Sequence, residues 1–311
     1  MDPITHTLAG AAMARGGLDR RTPLAAATLM LAANAPDIDI FIMFAGPYDG
    51  LAFRRGWTHG PLALLVLPFV LAGLMLAWDR LVRLRRDPSL SPVSATAILA
   101  ISVIGVVSHP MLDWLNTYGI RLLMPFSHRW FYGDAVFIID PWIWLALGLA
   151  LFLPRRTARR VRMVGAAVVA YMVLMVGASR VAESVAWRAA EASGVTGIAE
   201  VMYAPHPARP WLGGLIVATG TEYRYGTFRW FSGNRVRLDG EVIARGDWDQ
   251  DAVRRAMQVD DVRDYLVWSR FPFVRVEPAT AGTKVSFGDA RFTRGPSGGG
   301  LAGVSVVVRP D

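Results

Sequence analysis

Long apolar runs alternate with short polar stretches through the N-terminal half of the chain. A helix needs about 17 to 25 mostly apolar residues to cross the hydrocarbon core of a bilayer. The runs that reach this length are Pro61–Trp78, Val93–Leu115, Val136–Leu153 and Val161–Ala178. The pattern therefore predicts four membrane-spanning helices.

Two shorter apolar runs, Ile4–Ala14 and Pro23–Ala35, precede these spans. Both fall below the spanning length, so they predict re-entrant or half-spanning helices, or a packed pair. Asp2 suits the N-cap of the first helix and Pro3 its first position. Asp2 also stands where a secretory signal carries basic residues, so we expect this segment to be retained.

The hydrophobic pattern changes near Gly194, where short runs rich in β-branched and aromatic residues are separated by glycine. These predicted strands are Leu215–Thr219, Tyr223–Phe231, Arg235–Ile243, Lys284–Phe292 and Val304–Val308. Helical spacing of apolar residues predicts one helix over Asp249–Val259. The expected organisation is a helical membrane domain (1–180), a helical stalk (181–193) and a smaller β-rich domain (194–311).

Composition agrees with a membrane protein that carries a soluble part. The chain has 311 residues, of which 53% are hydrophobic and 19% charged, and its mean hydropathy is +0.33. Cysteine is absent, which excludes disulfides and thiolate metal ligands.

The net charge of +8 comes largely from arginines in two loops, Arg80–Arg86 and Arg155–Arg162. Two predicted spans separate these loops, so both should lie on the cytoplasmic side. We therefore expect a multi-pass protein of a bacterial or archaeal cytoplasmic membrane, with the C-terminal domain on the extracytoplasmic side. No basic stripe alternates with aromatic residues, so a nucleic-acid partner is disfavoured.

Ionisable side chains gather at the predicted extracytoplasmic ends of the apolar runs. In SHPMLDWLNTYG, His109 and Asp113 are four residues apart on one helix face, and Asn116 extends the stripe. The other motifs are MDPITH with Asp2 and His6, APDID with Asp37 and Asp39, and RGWTHG with His59. Imidazole and carboxylate without thiolate favour zinc, manganese or iron in a catalytic site that leaves one position for water.

Each polar residue also has a purely structural interpretation. Asp2 and Asp37 could be helix caps, and His6 could be a hydrogen-bonded structural residue. His109 and Asp113 could satisfy one another without a metal, although ionisable groups beside a span are costly and often functional. The turn-like surroundings of His128 and His206 predict surface positions.

MDPITH, APDID, RGWTHG and SHPMLDWLNTYG, in this order along the chain and followed by LLMPFS, resemble the YdjM-like family of inner-membrane-associated proteins, which are described as metal-dependent hydrolases and as LexA-binding. The resemblance covers Met1 to Trp144, and WSRFPFVRVE and GDARF resemble the tail of longer members. The family is distantly similar to the zinc-dependent phospholipase C and single-strand nuclease fold.

That resemblance implies metal ligands at His6, Asp37, Asp39, His59, His109 and Asp113. Those enzymes carry a further His-x-x-x-Glu pair, which this chain lacks after His128, so one or two ions are expected instead of three. Zinc is the first choice, with manganese or iron as alternatives. LexA binding would need cytoplasmic surface, and the predicted cytoplasmic loops are short, so we do not expect it.

The sequence thus predicts a membrane-bound metal-dependent hydrolase that acts on a phosphoester or other ester of an amphiphilic or lipid-linked substrate. Asp37 or Asp39 would be the general base, and Asp2, Asn116 and Tyr118 would support the site or contact substrate. The alternative is a non-enzymatic membrane scaffold with a structural polar cluster and a protein partner for its C-terminal domain. A transporter is disfavoured because the polar residues lie at span ends.

Overall fold

A computed structural model describes residues 1–46, 48–153, 157–293, 301 and 303–309. Arg155 and Arg156 of the second basic loop lie outside these ranges. The chain divides into two compact units. The first comprises Met1–Asp39, Arg55–Ser179 and Pro205–Pro210, and the second comprises Ile40–Arg54, Arg180–Ala204 and Trp211–Asp311.

The helical unit begins with α1 (Pro3–Arg15), a 3-10 turn (Leu18–Arg20) and α2 (Ala25–Ala32). The predicted cap is confirmed, since Asp2 Oδ1 accepts hydrogen bonds from the backbone N–H groups of Ile4 and Thr5. Both short runs contain a helix, and α1 packs against α2, as expected for a packed pair. After α2 the chain bends by 48° into a 3-10 helix, Ala35–Phe44, because Pro36 has no N–H to continue an α-helical ladder.

Three of the predicted spans are confirmed as apolar helices of spanning length. The first is α4 (Pro61–Trp78), which continues through a π-helical turn (Asp79–Arg83) into α5 (Leu84–Arg86). The others are α6 (Ala95–Trp114) and α8 (Ala158–Ala192). The predicted stalk is the continuation of α8, a single helix of 35 residues. Large apolar side chains such as Leu65, Val173 and Leu174 are more than 60% exposed, as lipid-facing positions should be.

The span predicted over Val136–Leu153 is wrong. Its only helix is α7 (Pro141–Phe152), whose 12 residues extend about 18 Å and cannot cross the core. Asp140 caps α7, accepting hydrogen bonds from the N–H groups of Trp142 (2.9 Å) and Ile143 (3.1 Å), and Pro141 fixes the first turn. Val136 is buried against protein, which explains the apolar residue before the helix.

Within the described residues, the second unit contains two sheets and three short α-helices, together with the part of α8 from Arg180 onward and a 3-10 turn, Ala290–Phe292. The larger sheet has the strand order β1 (Ile198–His206), β2 (Arg209–Thr219), β3 (Glu222–Arg229) and β4 (Val236–Ala244). The smaller sheet has the order β5 (Pro272–Ala279), β6 (Gly282–Asp289) and β7 (Gly303–Val308). The helices are α3 (Asp49–Phe53), α9 (Asp251–Ala256) and α10 (Asp260–Trp268).

The β-rich character predicted for this region is confirmed, and each predicted strand overlaps an observed one. The sequence pattern missed β1, β5 and α10, and α9 is shorter than the predicted helix. Buried aromatic residues, among them Tyr203, Phe228 and Phe273, fill the cores beside the sheets. The region is therefore a folded unit with its own apolar cores.

Candidate metal centre

Four of the six predicted ligands converge at the extracytoplasmic ends predicted for the spans. His109 and Asp113 lie in the last two turns of α6, His59 precedes α4, and Asp37 lies on the 3-10 helix after α2. One ligand atom from each lies within 4.8 Å of the others. His59, His109 and Asp113 are fully buried, whereas the Asp37 side chain is 11% exposed.

The distances between these atoms suit a single ion. The Nε2 atoms of His59 and His109 are 3.1 Å apart, and Asp113 Oδ2 is 3.5 Å from each. Asp37 Oδ1 is 3.7 Å from His109 Nε2 and 3.9 Å from His59 Nε2. Zinc bonds of about 2.0 to 2.1 Å at tetrahedral angles put neighbouring ligand atoms roughly 3.3 Å apart. The ligand atoms of His59, His109 and Asp113 therefore have nearly the spacing of neighbouring ligands in a tetrahedral site, and Asp37 Oδ1 lies slightly farther away.

Hydrogen bonds behind the histidines fix which ring nitrogen faces the centre. His109 Nδ1 donates to the Ala33 carbonyl at 2.6 Å. The Thr58 hydroxyl donates to Asp39 Oδ2, so its oxygen accepts from His59 Nδ1 at 2.9 Å. In the neutral rings both Nε2 atoms then carry lone pairs that point at one another and repel. A cation between them removes that repulsion, so the donor set fits a divalent metal.

Asp39 lies behind His59 and outside the group of four. Its Oδ2 accepts hydrogen bonds from the backbone N–H of Arg55 and from the Thr58 hydroxyl, both at 2.9 Å. The same oxygen is 3.4 Å from His59 Nδ1. Such outer carboxylates orient a ligand imidazole and raise its basicity. The structure therefore gives Asp39 an orienting position, and its predicted roles as ligand and base stay predictions.

His6 also lies beside the four ligands. Its Nε2 is 3.2 Å from Asp113 Oδ1, the oxygen opposite the one nearest His59 and His109, and that oxygen also contacts the Met1 amino group. The His6 ring stacks on His109 with centroids 3.9 Å apart. Burial, followed by the neighbouring His109, holds the pKa of His6 well below its usual value, which favours the neutral ring. A neutral His6 can orient the Asp113 carboxylate through Nε2–H.

Sequence reasoning missed Arg55, which is 3% exposed and contacts one of the four converging residues. Its Nε is 3.0 Å from Asp113 Oδ2, and Nη1 donates to Asn116 Oδ1 at 3.0 Å. The guanidinium lies 4.6 Å from the Tyr118 ring centroid. Asn116 and Tyr118 thus hold Arg55 in place. A signal was present, because an arginine at a span end predicted to be extracytoplasmic opposes the positive-inside rule.

Asp2 supports the helix that carries His6. Besides the backbone of Ile4 and Thr5, it accepts a hydrogen bond from the Thr5 hydroxyl, whose oxygen accepts from Trp144 Nε1 at 2.8 Å. Asp2 is not among the four converging residues. Its position is that of the helix cap considered from the sequence.

Two glycines let the helices approach closely enough to assemble the site. A Cβ on Gly105 of α6 would lie 2.4 Å from Ala32 Cβ and 3.2 Å from Ala33 N. A Cβ on Gly10 of α1 would lie 2.8 Å from the Leu29 carbonyl oxygen. Small residues at helix contacts are typical of membrane proteins. Here the Gly105 contact brings the Ala33 carbonyl within reach of His109.

One comparison with known proteins gives a match. The sequence model of a family described as YdjM inner membrane protein matches residues 1–182, which include all the predicted ligands. No curated protein and no solved structure matches the chain, so the resemblance to the phospholipase C fold stays a prediction.

Proposed function

Because the chain belongs to the YdjM inner membrane protein family, we propose that it is a membrane-bound hydrolase with one divalent metal ion, zinc in the first place. This proposal rests on one observation: the Nε2 atoms of His59 and His109 face one another at 3.1 Å, beside the carboxylates of Asp37 and Asp113. Thiolate ligands are absent, and histidine with aspartate is a ligand set that suits catalytic zinc.

Some residues of the site would hold the metal ion, and others would take part in the hydrolysis. His59, His109 and Asp113 would hold the ion, with Asp39 and the Ala33 carbonyl orienting the two imidazoles. When bound, such an ion lowers the pKa of a water molecule and polarises a phosphoryl or acyl oxygen. Asp37, the one solvent-accessible member of the group, would accept the proton of the attacking water. Arg55 offsets the negative charge of Asp113.

The surroundings of the site support an amphiphilic ester as substrate. His109 and Asp113 lie near the end of a candidate span, which corresponds to the depth of lipid headgroups. Ile38 beside Asp37 is 56% exposed, and Trp57 near His59 is 49% exposed. Exposed apolar side chains beside a polar site suit a substrate with a polar ester and an apolar tail.

Metal content is the first test. Detergent-purified wild type should contain about one zinc, manganese or iron ion per chain, and the His109→Ala, Asp113→Ala double variant should contain none. His128→Ala is the matched control, since His128 is exposed and outside the group of four. Wild type that binds no metal after incubation with zinc and manganese at neutral pH would rule out the metallohydrolase.

Turnover is the second test. Liposomes of phosphatidylglycerol or phosphatidylethanolamine, and lipid carboxyl esters, should be hydrolysed by metal-loaded wild type and not by Asp37→Asn. Metal binding without turnover of any of these substrates would argue for the alternative, a membrane scaffold whose polar cluster is structural. The contact between Arg55 and Asp113 favours that alternative, because an ion pair can satisfy a buried carboxylate without metal.

A further inference from the structure

The helical unit contains a large apolar groove that the metal centre does not use. It has a volume of about 1300 Å³ and is lined by α1, α6, α7 and α8. Its walls are aliphatic and aromatic, with Ala9, Met13, Trp114, Leu147, Val168 and Met172 among them. A groove of this composition, beside helices of spanning length, is accessible to hydrocarbon chains of the bilayer.

The groove is long enough for an extended acyl chain. It follows α1 from Thr5 to the end of the helix at Arg15, and these 10 steps correspond to about 15 Å of helix axis; it then continues beside Gly16 and Gly17. Gly165 of α8 lines the groove, and a Cβ added there would meet no atom within 4 Å. The space beside Gly165 is therefore open to an occupant.

Positive charge is confined to one end of the groove. Arg21 and Arg162 line it beside Gly16 and Gly17, and Arg162 Nη1 donates to the Gly16 carbonyl at 2.8 Å. Within the described ranges no acidic side chain lines the groove. An apolar channel that ends at two guanidinium groups is complementary to an acyl chain that ends at a phosphate.

We propose that this groove binds one anionic phospholipid, with an acyl chain along α1 and the phosphate at Arg21 and Arg162. This lipid site is separate from the proposed hydrolysis, because the groove lining includes none of the four metal-centre residues. The bound lipid would fill the space between α1 and α8.

The first test uses the open space at Gly165. Native mass spectrometry of detergent-purified full-length protein should show one phosphatidylglycerol bound to wild type and none to Gly165→Leu. Gly177→Leu is the matched control, since Gly177 lies on the same helix, also has open space for a Cβ and does not line the groove. Equal retention by wild type and Gly165→Leu would overturn the proposal and indicate annular lipid only.

The second test addresses the charged end. Each of Arg21→Gln and Arg162→Gln should weaken phosphatidylglycerol binding about fivefold and leave phosphatidylcholine binding unchanged. Arg159→Gln removes the same charge from an exposed position outside the groove and should have no effect. Equal affinity of wild type for the two lipids would exclude the assigned headgroup. Metal content, measured on the same samples, separates this result from the proposed hydrolase.

Discussion

At the scale of single residues, Thr58 links a carboxylate to the imidazole of a predicted ligand. Its hydroxyl donates to Asp39 and accepts from His59 Nδ1, so one oxygen sets the orientation of His59 and leaves Nε2 facing the candidate metal centre. Outer partners of this kind typically change metal affinity by about 10 to 100-fold when they are removed.

Thr58→Val should therefore weaken zinc binding by about 10 to 100-fold, because His59 Nδ1 loses its acceptor while the side-chain volume stays nearly constant. Chelator competition measures the affinity. Thr96→Val changes an exposed threonine at the start of α6 and should bind zinc like wild type. An unchanged affinity in Thr58→Val would show that Thr58 does not orient the ligand.

The ionisation of Asp289 should make the stability of the second unit depend on pH. Burial alone would raise the pKa of its carboxyl, but the charge of Arg291 and hydrogen bonds from Arg291 and Ser269 outweigh burial and lower it. The folded pKa is thus below the unfolded value of about 3.9. The stabilisation is complete above that value and is lost as pH falls through the folded pKa.

Asp289→Asn should abolish the pH-dependent stabilisation that Asp289 contributes. It should also destabilise β5 and β6 by about 3 to 5 kcal/mol, because it leaves the buried Arg291 side chain without its counter-charge. Hydrogen exchange at the β6 amides of the full-length protein, between pH 3 and 7, measures both effects. Asp251→Asn breaks an exposed pair with Arg254 and should stay within about 0.5 kcal/mol of wild type. Similar protection in the two variants would contradict the assignment.

At the scale of elements, the contact between α2 and α6 decides whether the site assembles. Gly105→Ala should separate the helices, since its Cβ would lie 2.4 Å from Ala32 Cβ, and draw the Ala33 carbonyl away from His109. We expect bound metal to fall at least tenfold, as for loss of an outer partner. Gly73→Ala on α4 meets no atom within 4 Å and should retain metal. Full metal content in Gly105→Ala would refute this account.

At the scale of the whole molecule, the membrane family and three candidate spans establish a membrane protein, while its orientation stays a prediction. The chain lacks cysteine, so single cysteines can report sidedness without a cysteine-free background. Ser89 and Ser193 are both exposed. The four spans predicted from the sequence put them on opposite sides of the membrane, whereas the candidate spans of the described residues put them on the same side, because only α6 and α8 lie between them.

A membrane-impermeant maleimide applied to cells with a permeabilised outer envelope should leave Ser89→Cys unlabelled until the membrane is lysed. Labelling of Ser193→Cys in the same unlysed cells would support the four predicted spans, and its protection would support α6 and α8 as the two crossings between these residues. The physical reason is the positive-inside distribution of arginine in the loop that contains Ser89. Labelling of Ser89→Cys in unlysed cells would reverse the predicted orientation.

Local sequence signals were sufficient wherever the deciding interaction is local. Asp2 and Asp140 cap the helices that follow them, because a cap needs only a side chain and the next two or three N–H groups. Short runs of β-branched and aromatic residues, separated by glycine, located most strands of the second unit. The missed β5 begins at Pro272 and follows a helix that the pattern did not predict, so its apolar residues lacked clear flanking turns.

The candidate site could be predicted only in part. Residue type and spacing indicated His59, His109, Asp113 and Asp37, since ionisable groups beside apolar spans are rare. The sequence could not show that these four are better candidates for metal ligands than His6 and Asp39, because that choice depends on which oxygen or nitrogen atoms face the centre. Arg55 was missed for the same reason, as its partners Asp113 and Asn116 are remote in sequence.

The sequence by itself determined the membrane-embedded helical region, the β-rich region that follows it and the set of side chains from which a metal centre could be built. These depend on composition, on periodicity and on contacts within a few residues. Only the tertiary structure decided that α7 is too short to span and that four of the predicted ligands converge, with Asp39 and His6 beside them. Only it placed an apolar groove between helices remote in sequence. Convergence depends on distances between packed helices, and those are set by close approaches such as Gly105 against Ala32 that no local pattern encodes.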